Sequence, residues 1–239
     1  MSVLSFTWNG QSSDDHGVCV KSLPFLYTPG ERFESCVIPG RDGVLRIPDG
    51  GMEEIALLVD CYLPYEQGVT VSDMRTIREW LRGEGWFTQS DLPGRAFKAK
   101  ITDAIAFQPW VDGFADRLFS ITLYAEPYQY HYPEAEKIVL TAAGTISNPG
   151  TAASLPRIEI TGSGDFTVSI GGTYMEFSGV SGGVIVDSER MDVLAQDGLT
   201  LANSCAAMAE FPRLQPGPNA VSWTGSVTKM EILPRWRDR

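Results

Sequence analysis

The chain has 239 residues, 43% of them hydrophobic and 21% charged. That is enough apolar material for one large or two ordinary cores, and it excludes both a small stapled module and a disordered segment. Lys and Arg number 19 against 30 Asp and Glu, a formal charge of −11, so specific nucleic-acid binding, which draws on released phosphate counterions, is not expected.

Residues 1–10 lack the basic and apolar blocks of a secretory signal, which implies synthesis in a cytosol. The segment Ser13-Asp14-Asp15-His16-Gly17 reads as a polar turn. In Ile38-Pro39-Gly40-Arg41-Asp42-Gly43, a Pro-Gly pair is followed by Asp-Gly, which favours two tight reversals in succession and would hold Arg41 outward on a stiff loop. A stiff, projecting arginine suits a partner surface, so Arg41 and Asp42 are the candidate assembly contacts. The longest strictly apolar run, residues 55–59, is far short of the roughly 20 residues of a membrane-spanning helix. No membrane insertion is expected.

Ser72 is placed to cap a helix of about three turns in which Met74, Ile77, Trp80 and Leu81 share a face and Gly83 and Gly85 mark the end. Such a helix is not stable alone, so it should pack on a sheet and add its Trp to that core. A turn at Ser90-Asp91-Leu92-Pro93-Gly94-Arg95 precedes Phe97-Lys98-Ala99-Lys100-Ile101, whose apolar residues alternate with lysines. Residues 118–124 alternate likewise, with Phe119, Ile121 and Leu123 on one side and Ser120 and Thr122 on the other, as in a half-buried strand. His131 lies in an aromatic run with Tyr128, Tyr130 and Tyr132 and reads as a packed ring.

Prolines at 127, 133 and 149 bracket a change toward Gly, Ser, Thr and Ala, which sets two domains, 1–140 and 141–239. Phe166 and its neighbours through Ile170, then Thr173 onward, flank Gly171-Gly172, a pair suited to a two-residue hairpin turn. Gly179-Val180-Ser181-Gly182-Gly183 matches the G-x-S-x-G of serine esterases, with Ser181 as nucleophile. That chemistry needs a strand-to-helix elbow, whereas Val184, Ile185 and Val186 predict a second strand. A third turn, Phe211-Pro212-Arg213-Leu214-Gln215-Pro216-Gly217-Pro218-Asn219, leads into a strand, and Arg235-Trp236-Arg237 stands near the end of the sequence.

With 24 Gly and 15 Pro between short runs of β-branched and aromatic residues, the chain reads as mainly β. Only two histidines occur, the paired carboxylates are adjacent in sequence, and no phosphate-cradling glycine motif is present, so no catalytic residue, cofactor or metal is expected. Cys19, Cys36, Cys61 and Cys205 form no C-x-x-C pair and read as reduced, mostly buried residues.

Taken in order, Phe6 through Asn9-Gly10, the 38–43 turn, Glu79-Trp80-Leu81, the 90–94 turn, Asn148-Pro149-Gly150-Thr151, the 211–219 segment and the terminal Arg-Trp-Arg resemble the siphophage distal tail protein family over nearly the whole chain. The resemblance implies an N-terminal β-rich belt domain with one short helix packed on a sheet, closing into a homohexameric ring. It also implies a C-terminal galectin-like β-sandwich. The partners it implies are further copies of the chain, the tail tube protein and a tail-tip or fibre protein, at the tip of a phage tail, with DNA passing through the ring lumen. There is no long insertion between the C-terminal strands to house an extra carbohydrate-binding module. The competing reading is a carbohydrate-binding module in which the C-terminal domain takes host cell-wall sugar through Trp223, with Trp236 as a further stacking candidate.

Overall fold

The computed structural model describes residues 4–24, 28–65, 68–108 and 116–239. The protein is mainly β and divides into two compact units, Met1–Gln129 with Arg239, and Tyr130–Asp238. The first unit holds strands β1 (Phe6–Trp8), β2 (Gln11–Ser12), β3 (Cys19–Ser22), β4 (Glu31–Cys36), β5 (Leu45–Met52) and β6 (Ile55–Leu63), then helix α1 (Val71–Trp80). Strands β7 (Gly83–Gln89), β8 (Arg95–Ile101) and β9 (Arg117–Ala125) complete it. Seven of these strands form an antiparallel sheet in the order β2-β1-β7-β8-β9-β6-β3.

The alternation read in residues 118–124 sets that sheet's register. β9 pairs with β6 from Ile55↔Ala125 to Leu63↔Arg117, so Phe119, Ile121 and Leu123 lie on one face with Cys61, Val59 and Leu57, all buried. α1 covers this face with Ile77, and the capping Leu81 just past its end is enclosed with it, while Met74 and Trp80 pack beside them. Trp80 stacks on Phe6 at 5.6 Å between ring centroids, and its indole N–H donates to the Trp8 carbonyl at 3.3 Å. Burying each of these large side chains stabilises the fold by about 1.5–3 kcal/mol, which is what a helix this short requires.

The helix begins two residues earlier than Ser72 implies. Thr70 is the cap: its hydroxyl accepts the Asp73 amide, while the Asp73 carboxylate accepts the Thr70 amide at 2.8 Å. This reciprocal pair needs an acceptor three residues past the cap. Asp73 stands in that position for Thr70, whereas Ser72 would face Arg75. Gly85 does not end the helix either; it lies within β7, where a Cβ would fall 1.7 Å from the Asn9 side chain. That side chain lies along the β7 backbone, accepting the Trp86 amide at 3.0 Å.

The second unit is built on two long strands. It contains β10 (Gln129–His131), which begins one residue before the unit, then β11 (Ile138–Leu140), β12 (Gly144–Asn148), β13 (Arg157–Ile170), β14 (Thr173–Val180), β15 (Gly183–Asp187), β16 (Asp192–Ala195), β17 (Ala206–Met208), β18 (Gly217–Leu233) and β19 (Arg237–Asp238). β13 and β18 pair along their lengths, with register breaks between Thr161 and Phe166. Before the break β13 pairs with β15, and after it with β14. One long sheet is thereby divided into two layers, and Ile158, Val186 and Ile232 from one share a core with Phe166, Phe177 and Val221 from the other. The result is a β-sandwich. As expected, Gly171 and Gly172, at φ +56° and +92°, close the β13–β14 hairpin at the pair Ile170↔Thr173.

Candidate assembly interface

The predicted turn at residues 38–43 is the tip of a longer structure. Among the described residues β4 and β5 pair only with each other, from Glu31↔Met52 to Cys36↔Leu45, outside the main sheet. The tip makes the two expected reversals: the Arg41 amide donates to the Ile38 carbonyl at 3.1 Å, and Gly40 and Gly43 both take φ near +80°. Positive φ at the residue after Pro39 is what a type II turn demands. Arg41 and Asp42 are exposed there, with no side-chain partner among the described residues.

What the sequence reading missed is the arm behind that tip. Every residue of β4 is exposed, as is most of β5. Phe33, Val37, Ile38, Val44 and Ile47 all show large apolar surface, with Val37 at 73% and Val44 at 52% of full exposure. On one face of the arm the Arg46 guanidinium lies 4.7 Å above the Phe33 ring, and Pro48 stands opposite Phe33. On the other, Glu34 is paired across from Ile47, beside an Arg32–Asp49 ion pair. The Gly51 amide and then Arg32 hold the Asp49 carboxyl below its ordinary range. The signal available in sequence was the placement of Pro48, which denies one strand a ladder amide and is confined to sheet edges.

An isolated two-stranded hairpin is marginal in water. This one has local pairings but no core of its own, so its apolar side chains lack the cover that a third layer would give. Cys36 is exposed on the arm, a correction to the mostly buried reading of the cysteines. Cys61 alone is fully buried, Cys19 and Cys205 are intermediate, and all four are free.

The other segments picked out in sequence turn inward. Asn148 Nδ2 donates to the Ala152 and Leu214 carbonyls at 3.0 and 2.9 Å, and Asn219 ties the 211–219 segment through Gln215 and Gly217. The Ala152 amide meets the Arg237 carbonyl at 3.2 Å, and Arg237 Nε donates to the Ala153 carbonyl at 2.7 Å. Three separate motifs therefore converge in the second unit as internal staples. Arg235 forms two hydrogen bonds to Asp187 and lies 3.1 Å from Glu189.

Of the two sugar-stacking candidates, Trp236 is buried in the core, while Trp223 packs against it and donates its indole N–H to the Val227 carbonyl at 3.2 Å. Ser181 lies on the turn between β14 and β15, a strand-to-strand connection. His16 stacks on Trp80 at 4.0 Å, and His131 Nε2 lies 3.1 Å from Asp238. Among the described residues no group of three His, Cys, Asp or Glu side chains is placed to hold a metal, and no helix is long and apolar enough to cross a membrane.

No family profile and no curated protein matches the sequence. Solved structures do. The SPP1 Dit (gp 19.1) protein, described as a paradigm of the hub adsorption apparatus in phages infecting Gram-positive bacteria, superposes with a TM-score of 0.67 at 16% identity. The match covers 97% of this chain and 98% of that one. The chain has the fold of this hub protein. The baseplate of phage p2, in its activated conformation with Sr, matches at a TM-score of 0.49 and 8% identity over 97% of each chain. At 16% identity the SPP1 likeness concerns the path of the backbone through both units, and side-chain roles have to be argued from this chain itself.

Proposed function

We propose that the chain is a structural component of the phage virion, located at the tail tip, where six copies close into a ring that joins the tail tube to the adsorption apparatus. The observation that carries this reading is the β4–β5 arm, a strand pair with its apolar side chains uncovered, on a chain that shares the fold of a phage hub protein over nearly its full length. Exposed strand edges and apolar patches of this kind are the usual material of subunit contacts. Arg41 and Asp42, at the arm's tip, are assembly contacts in this reading. It assigns the chain no reaction.

A cyclic ring has a heterologous junction that ends by closure instead of growing into a fibre. Six copies would carry six times −11, or −66, formal charges. The junctions must therefore bury enough apolar surface to offset repulsion, which salt screens beyond about 8 Å under physiological conditions. The same charge would let DNA pass through the lumen without adhering. The test is light scattering on the full chain, alone and with its neighbouring tail proteins. A species near six times 26.2 kDa in either condition is expected, and a stable dimer in both overturns the ring.

A further inference from the structure

A cyclic junction joins two different patches, so if the arm supplies one side, another surface of the same chain must supply the other. α1 carries Arg75 and Arg78 along one side, and with Arg82 just past its end and residues 101–105 they line a cleft of about 330 Å³. Of its two acids, Glu79 pairs with Arg82 at 2.9 Å, and Asp103 accepts the neutral Tyr124 hydroxyl at 3.0 Å and keeps its charge, so three guanidiniums face two carboxylates and the lining is net positive by one. Arg75 and Arg78 have no acidic partner among the described residues. In a chain with 11 more acids than bases, a cleft whose lining is net positive stands out from the surface around it. The lysines on β8 are not in that position, since Lys100 lies 2.7 Å from Glu54 and Lys98 lies 3.8 Å from Glu126. The cleft also offers apolar cover from Ala104 and Ile105. The arm is complementary, because Glu34 has no ion-pair partner among the described residues and stands across from the exposed Ile47 on one face.

We infer that the α1 cleft is the acceptor for the arm of a neighbouring copy, with Glu34 against Arg75 and Arg78 and Ile47 over Ala104 and Ile105. This rests on the ring reading above and names its junction. Nucleic acid is the lesser fit, because phosphate binding draws on many cations along a backbone and this surface has a net excess of one.

The experiment compares three full-length proteins by light scattering and native mass spectrometry: the parent, Glu34→Arg, and the double variant Arg75→Glu, Arg78→Glu. Each variant alone is expected to associate at least about tenfold more weakly than the parent, with unchanged melting because the altered side chains are exposed. Combining all three substitutions in one chain restores assembly. So does mixing the two variants in equal amounts, since each reversed arm then finds a reversed cleft, and the mixed rings should hold three copies of each. A parent ring alongside a double variant that assembles equally well overturns the acceptor and leaves the ring standing. Failure of both rescues, or duplex DNA binding that depends on Arg75 and Arg78, overturns it too. A parent that stays monomeric with and without tail partners overturns both readings.

Discussion

Asp187 and Arg235 illustrate how single side chains hold the second unit together. Asp187 is 4% exposed and depends on Arg235 for compensation, while Arg235, 18% exposed, is shared between Asp187 and Glu189. Burial pushes the Asp187 carboxyl up, but the hydrogen bond and charge of Arg235, with the Arg190 and Glu189 amides, pull it further down, below its ordinary value of 3.8. Asp187→Asn removes both charge-assisted hydrogen bonds and leaves Arg235 to Glu189 alone, and it is expected to cost about 2 kcal/mol in urea unfolding. Because the folded carboxyl titrates below the unfolded one, its stabilisation is complete above the unfolded value and lost as pH falls through the folded value. Asp197 behaves the same way in direction, held at about 2 by the Thr200 hydroxyl and then by the Thr200 and Leu199 amides. Stability should therefore be flat from neutral pH to about 4 and fall between about 4 and 2, read as the urea midpoint along a pH series. Among the cysteines, burial pushes the Cys61 thiol up to about 12, while Cys36 stands open on the arm. Alkylation should mark Cys36 well before Cys61 in the free chain, and assembly should protect Cys36.

The elements differ in how much of them could be read in the sequence, and the difference follows the range of the forces that define them. The β13–β14 hairpin was legible because Gly171-Gly172 settles it locally. β9 was legible because a period-two pattern over seven residues admits one buried face. The start of α1 was misread by two residues, since Ser72 and Thr70 are both cap residues and only Asp73's position decides between them. Thr70→Ala should accordingly destabilise the protein by about 1 kcal/mol, and Ser72→Ala by much less. The arm was invisible beyond its turn, because alternating apolar and charged residues look the same in a half-buried strand and in one whose cover comes from another chain. Replacing Phe33 and Ile47 with Asp should change unfolding stability by no more than about 0.5 kcal/mol each while abolishing higher-order species. A fall in monomer stability of several kcal/mol would place those side chains in an intramolecular core instead.

For the molecule as a whole, sequence order carried more than any single motif. The segments at 148–151, 211–219 and 235–237 were each unremarkable alone, yet they meet in one place in the second unit, and the backbone of both units follows that of a phage hub protein. Composition set the outer limits, with a strong acidic excess and no concentration of catalytic residue types. It could not reveal that Arg75 and Arg78 line a cleft without an ion-pair partner among the described residues, because that depends on which acids the fold brings beside them. Whether the arm exists to join copies is decided most directly by negative-stain images of the purified full chain, alone and with its tail neighbours. Closed rings with six-fold symmetry that disappear when Phe33 and Ile47 are both replaced by Asp are the expected result. Two-fold particles, or rings that persist unchanged in that variant, would contradict it.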